Sequence, residues 1–466
     1  MPFNSLTALS PVDGRYRAQT EELAESMSEY ALIKRRIFVE CEYFIALSET
    51  EGAGLRAFTE KEKAALRRIP QDFTPDEAGI VRKIEREGMG GRPATNHDVK
   101  AVEYFLKNKI AGTPLEKVVE WIHFALTSED VNSVSQALML RDALEGVILP
   151  AARSVQKELD TLANTYAEAP MLARTHGQAA TPTTFGKEMR VFESRIARQI
   201  SLIISNPILV KFGGATGNYN AHVVSAPEVD WRDFSAKFIG RFNEGHEIGV
   251  VLNPVTTQIE PHDTFAELFD ALRRTNTICI DFAADMWRYV SDGWVVQKPK
   301  EGEIGSSAMP HKINPIDFEN AEGNLGVANA LFEHFSRKLP VSRLQRDLTD
   351  STVIRTFGTA FAHTLIGYKS LLRGLGKISV QERTLLEVLQ SHPEVLSEAL
   401  QTVLRRENVA VPYEKLKELT RGKQVTLEDF ARFVDTLEIS EEVKERLKEL
   451  RPENYIGLAG KIARNS

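Results

Sequence analysis

The 466-residue sequence predicts an all-α fold, and three observations carry that prediction. Apolar residues recur every three or four positions along several long segments. No series of short alternating segments divided by turn dipeptides appears. One stretch near the middle runs for roughly thirty residues without a helix breaker.

In chain order, the first seam is Ile148, Ala152, Val155, Leu159, Leu162 and Tyr166. The second is Met189, Phe192, Ile196, Gln199 and Ile203, and the third runs Phe265, Leu268, Leu272, Thr275, Cys279, Phe282, Met286 and Tyr289. Steps of three and four put each set on one face of a helix. Between Asp263 and Lys298 there is no proline and the only glycine is Gly293. A single helix of about 29 residues from Thr264 to about Ser291, roughly 43 Å long, fits that stretch. Three seams of this length predict a bundle of long helices. Stripes so long exceed what one small domain covers, so a homo-oligomer is expected to bury the remainder.

Glycine and proline gather at 86–93, 212–217 and 298–315, which read as loops. The last is long and polar, so it either wanders at the surface or closes over something. From about 367 onward the pattern is one of shorter amphipathic helices with charged turns.

At this length the chain exceeds one hydrophobic core, so two or three domains are expected. A net charge of −7, with no block of like charge, argues against nucleic acid or an anionic membrane as partner. Cys41 and Cys279 each stand alone in helical surroundings with no second ligand at metal spacing, which predicts buried, reduced thiols. No apolar run approaches the ~18 residues of a membrane span, and the N-terminus has no leader pattern, so a cytoplasmic protein is expected.

Four polar stretches concentrate side chains able to do chemistry: TNHDVK at 95–100, LTSEDVN at 126–132, ARTHGQ at 173–178 and GSSAMPHKINP at 305–315. Each of the first three has a plain structural reading. His97-Asp98 suits a surface or capping pair, Thr127, Ser128 and Glu129 suit a helix cap, and His176-Gly177 suits a helix C-terminus. The fourth matches GSSxMPxKxNP in full and resembles the signature of the fumarase/aspartase superfamily. LTSEDVN and ARTHGQ then resemble two further regions of that superfamily.

Within it the sequence most resembles the adenylosuccinate lyase family in its longer bacterial form. The likeness is carried by SPVDGRY at 10–16, NHDVKAVEYFL at 96–106, IHFALTSEDVN at 122–132 and NYNAH at 218–222. TTQIEPHD at 256–263, EIGSSAMPHKINPIDFEN at 303–320 and LPVSRLQRDLTDST at 339–352 extend it over nearly the whole chain. The resemblance implies three helical domains, at 1–124, 125–366 and 367–466, and a central bundle giving a twenty-helix core to a homotetramer. It also implies active sites shared by three subunits, a succinylated purine nucleotide as small-molecule substrate, and neither cofactor nor metal. The implied reaction eliminates fumarate from adenylosuccinate to give AMP, and from SAICAR to give AICAR.

That elimination needs a base for a weakly acidic C–H, an acid for the departing nitrogen, and an anchor for the nucleotide. By resemblance Ser306 is the base, although the adjacent Ser307 leaves the residues alone unable to say which hydroxyl acts. Lys312, glycine-loop amides and the helix N-terminus after Pro315 put positive potential near that oxygen. His176 matches the acid and Glu319 the carboxylate that orients and charges it, while His97 matches a second histidine that supports the acid. Imidazole suits both duties because its ordinary pKa of about 6.5 leaves both protonation states accessible. Lys312 and Asn314 match groups that hold the succinyl carboxylates. Thr127, Ser128, Thr175 and Gln258 match holders of carboxylates and the substrate amide, and Asn96, Asp98, Ser307 and Met309 complete the implied lining. Arg15 and Tyr16 resemble phosphate contacts, and Arg346, Ser351 and Arg355 keep the spacing of the other nucleotide contacts, as a guanidinium fork suits phosphate oxygens.

Argininosuccinate lyase and fumarase are rival readings because they share the 305–315 loop. Fumarase has no phosphate to anchor, which would leave Arg15, Arg346 and Arg355 without purpose. A non-catalytic scaffold is disfavoured by the presence of Ser306, His176, Lys312, Asn314 and Glu319 together. A metal hydrolase on His97-Asp98 and His262-Asp263 lacks HExxH or clustered carboxylates.

Overall fold

The computed structural model describes residues 4–298, 309, 312–410 and 425–465. Helix dominates these residues. The long helices are α1 (Glu29–Ser48), α2 (Asp98–Ile110), α3 (Ser128–Ala143), α4 (Leu149–Thr165), α5 (Phe185–Ser205), α6 (Asp263–Ser291), α7 (Ile316–Lys338) and α8 (Phe357–Leu375). The all-α expectation holds, and so does the single 29-residue helix, whose seam residues from Phe265 to Tyr289 are all buried. The seam at 189–203 is likewise buried along α5. Cys41 and Cys279 are buried free thiols.

Helix starts follow capping chemistry. Ser28 Oγ accepts the Ala31 N–H at 3.1 Å to open α1, and the Thr127 N–H donates to Asp130 Oδ2 at 2.8 Å to open α3. Between α3 and α4 the turn Leu144–Ile148 is a π-helix, so the chain stays helical from Ser128 to Thr165 with one widened turn.

Among the described residues, three two-stranded ribbons interrupt the helices. Strands β1 (Pro170–Thr175) and β2 (Gln178–Thr184) form an antiparallel hairpin, with Thr175 opposite Gln178. The short strands β3 (Ile208–Val210) and β4 (Val250–Leu252) pair in parallel, and β5 (Val295–Gln297) pairs antiparallel with β6 (Ile378–Val380).

The chain divides into two compact units. The first holds residues 1–152, 198–277 and 323–368. Its core includes Phe269, whose ring lies 4.8 Å from Phe357, 5.4 Å from Phe335 and 5.6 Å from Phe332, and a second cluster in which Tyr43 contacts Phe212, Phe234 and Phe238. Ring pairs at such distances add to burial. The second holds 153–197, 278–322 and 369–466. Phe282 packs between Phe192 and Phe318 there, and short C-terminal helices close over Leu400, Leu404, Phe430 and Val434. Among the described residues no helix is long and apolar enough to cross a membrane.

Candidate active site

In the first unit a cavity of about 160 Å³ opens at the start of α1, α2 and α3. Six of the residues singled out in the sequence line it: His97, Asp98, Ser128, Arg346, Ser351 and Arg355. They come from three distant segments, and the start of a helix delivers each of the first two. His97 is the N-cap of α2, and Ser128 is the first residue of α3.

The cap decides how His97 presents its ring. Nδ1 accepts the Lys100 N–H at 3.3 Å, so that nitrogen carries no proton and the Nε2–H faces Ser128 Oγ at 3.4 Å. The capping role and the site role expected of these two stretches therefore coincide: one nitrogen serves the helix and the other serves the cavity.

Charge in the cavity is arranged in two groups. Asp98 Oδ2 accepts from Arg36 Nη2 at 2.8 Å and from Arg355 Nη2 at 3.1 Å, and Arg355 also pairs with Glu29. Burial alone would raise the Asp98 carboxyl, but Arg36 and then Arg355 outweigh it and hold it below its ordinary value. The second group centres on Arg346, with Nη2 3.0 Å from Glu129 Oε2 and Nη1 donating to Gln258 Oε1 at 3.4 Å. Glu129 is buried, and desolvation pushes its carboxyl up to about 7 against the opposing pull of Arg346.

Sequence reasoning missed Arg36, Glu29, Glu129 and Asn132 as lining residues. Arg36 is buried in α1 and donates from Nε to Asn132 Oδ1 at 2.9 Å. Arg36 follows Lys34 and Arg35 in α1, and only its burial, which the sequence does not show, marks it as the charge that requires partners.

The remaining residues stand elsewhere. Arg15 is exposed and Tyr16 half-buried in the N-terminal turn, where the Tyr16 N–H reaches Pro11 O at 2.8 Å; neither lines the cavity. Asn96 is exposed, with φ 46, just before α2. Thr127 precedes Ser128 at the α3 cap. In the second unit, Thr175 ends β1, and His176 and Gly177 form the exposed tip of the hairpin, both with positive φ (53 and 76). That is the backbone of a two-residue hairpin turn, so the helix C-terminus reading of His176-Gly177 is replaced. Glu319, in the first turn of α7, is exposed and accepts from Trp287 Nε1 at 3.1 Å. Met309 and Lys312 are exposed, the Lys312 N–H reaching Met309 O at 3.0 Å, and Asn314 is half-buried. Ser306 and Ser307 lie outside the described residues. Among the described residues no group of three or more His, Cys, Asp or Glu side chains is placed to hold a metal ion.

Two family models match the chain: one described as Lyase over residues 14–329, and one described as Adenylosuccinate lyase C-terminal over residues 342–456. The chain is 50% identical over 461 residues to adenylosuccinate lyases of Vibrio cholerae and Escherichia coli, covering 98% of both chains in each comparison. It is 49% identical over 472 residues to that of Dictyostelium discoideum, covering 98% of this chain and 97% of the relative. A solved fumarate lyase from Mesorhizobium has a TM-score of 0.72 at 20% identity, covering 96% of this chain and 97% of the other, which speaks for the fold alone. With half of its residues identical to such relatives from end to end, the chain belongs to the adenylosuccinate lyase family and is a lyase.

Proposed function

We propose that the enzyme splits adenylosuccinate into AMP and fumarate, and SAICAR into AICAR and fumarate, by β-elimination. A proton leaves the carbon adjacent to the one bearing nitrogen, its electron pair becomes the double bond of fumarate, and the carbon–nitrogen bond breaks. The nitrogen takes up a proton and departs as the amino group of the nucleotide. The observation that carries this reading is the convergence of His97, Asp98, Ser128, Arg346, Ser351 and Arg355 on one cavity. Guanidinium groups anchor the phosphate and hydroxyl and imidazole donors meet the succinyl carboxylates, so binding away from the reacting bond orients it.

Ser306 is assigned as base, His176 as acid with Glu319 orienting it, and His97 as its support. Lys312 and Asn314 hold the succinyl group, and Arg15 and Tyr16 add phosphate contacts. The working form is a homotetramer in the cytoplasm, its three-domain subunits dividing near 124 and 366, with each active site drawn from three of them. Two features support assembly: His176 and Glu319 are exposed and absent from the cavity lining, and Leu202, Trp287 and Val327 leave apolar surface uncovered on α5, α6 and α7. No cofactor takes part.

Ultraviolet absorbance of the purified enzyme with adenylosuccinate, without added metal, tests the reading. Conversion to AMP and fumarate that disappears in Ser306→Ala is the expected result. Fumarate released only from another succinyl compound would overturn the substrate.

A further inference from the structure

Next along α3 from Glu129, which lines the cavity, Asp130 belongs to a fully buried ion pair. Lys211 Nζ lies 2.6 Å from Asp130 Oδ1, and neither side chain reaches solvent. Burial pushes the Lys211 ammonium below its ordinary range, and Asp130 opposes that push. Asp130 serves more than the lysine. Its Oδ1 accepts the N–H groups of Gly213 at 2.8 Å and Gly214 at 3.1 Å, and its Oδ2 accepts the Thr127 N–H at 2.8 Å. Lys211 in turn donates to Gly214 O, and its main-chain N–H reaches Ser133 Oγ at 2.9 Å.

From that glycine loop the connection runs back to the cavity. Ala215 O accepts from Gln258 Nε2 at 3.1 Å, Gln258 Oε1 accepts from Arg346 Nη1 at 3.4 Å, and Arg346 pairs with Glu129, the neighbour of Asp130 on α3. The path closes into a ring. Gly217, with φ +76, lets the loop lie against the 256–257 backbone: a Cβ there would stand 2.6 Å from Thr256 O.

We infer that Lys211 and Asp130 are positioning residues: their buried pair locks the 212–217 loop to the start of α3 and thereby sets Thr127, Ser128 and Gln258 for substrate. The inference rests on the function proposed above. An apolar pair of similar volume would hold a fold at least as well as a buried ion pair. It could not accept three main-chain N–H groups from two separate segments, and that is the service the carboxylate provides.

The test compares kcat, KM and melting temperature of the full-length enzyme with Asp130→Asn/Lys211→Met and with Ser133→Ala, using adenylosuccinate. The double variant removes both buried charges together, and its side-chain amide has a single acceptor oxygen, too few for both the Thr127 N–H and the glycine loop. At temperatures well below its melting point it is expected to lose about a hundredfold in kcat/KM, with both KM and kcat affected. Ser133→Ala gives up one neutral hydrogen bond, keeps the fold, and is expected to raise KM roughly threefold. A folded double variant with parental kcat and KM overturns the inference, and if the double variant does not fold, parental constants in Ser133→Ala overturn it. A parent enzyme inactive on adenylosuccinate overturns the substrate reading instead; the variants are then compared on the succinyl compound the parent does split, where the same losses are expected.

Discussion

His97 gives one ring nitrogen to the backbone of Lys100 and holds the other 3.4 Å from Ser128 Oγ, so a single side chain both caps α2 and faces the cavity. The two duties separate by substitution. Asparagine is a good N-cap but has no imidazole. His97→Asn is expected to keep the melting temperature near the parent while kcat falls by about a hundredfold, the order of loss when a group that positions the acid and the substrate is removed. His97→Ala should lose both. Thermal melts beside steady-state kinetics decide it, and near-parental turnover in His97→Asn would leave the histidine only a cap.

Glu129 gives the enzyme a pH dependence of definite sign. Its carboxyl is pushed from 4.5 up to about 7 in the fold, so between those values the folded state binds the extra proton. Stability is therefore lost as pH rises from about 4.5 through about 7. In Glu129→Gln this contribution vanishes, and the drop in melting temperature between pH 5 and pH 8 should shrink by a few degrees relative to the parent. Parallel stability–pH curves for the two proteins would refute the assignment.

Asp98 has the opposite sign. Its carboxyl is held below its ordinary value by Arg36 and Arg355, so its contribution is present above the unfolded pKa and is lost as pH falls through the folded one. Asp98→Asn leaves the nearly inaccessible Arg36 guanidinium without its ion partner. Urea unfolding at pH 7 should show a loss of about 1–3 kcal/mol, less than for a fully buried pair because the Asp98 side chain is 28% exposed. Turnover of the folded variant should suffer less than that of His176→Ala.

The proposed sharing of active sites predicts complementation. Ser306→Ala and His176→Ala should each be inactive tetramers, and mixing them with subunit exchange should restore activity, because some hybrid sites draw both intact residues from different chains. Exchange verified by mass spectrometry with no recovery would place both residues on one chain.

The long helices were legible because burial on a packed helix imposes a period: every seam residue from Phe265 to Tyr289 is buried as the spacing requires. The β1–β2 hairpin was not read. Its strands pair in isolation, with register set by a short turn rather than by an alternating apolar face, and the signal was two adjacent residues suited to positive φ, His176 and Gly177. Six of the cavity's residues, His97, Asp98, Ser128, Arg346, Ser351 and Arg355, were legible because resemblance carried them. Glu29 and Arg36 escaped because nothing local ties them to a site, and Glu129, inside the LTSEDVN stretch, was read only as part of a helix cap. The Lys211–Asp130 pair joins residues 81 positions apart, a distance at which spacing says nothing.

The hairpin tip has an evolutionary consequence. Asn-Gly is the preferred pair for a two-residue turn with both residues in the left-handed region, and histidine is a poorer occupant of that first position. With His176 as the acid proposed above, a laboratory selection that rewarded heat tolerance alone would favour His176→Asn and deliver a sturdier hairpin on an inert protein. On that proposed role, histidine is held at this corner by selection for turnover acting against selection for folding, and letting the two compete tests it.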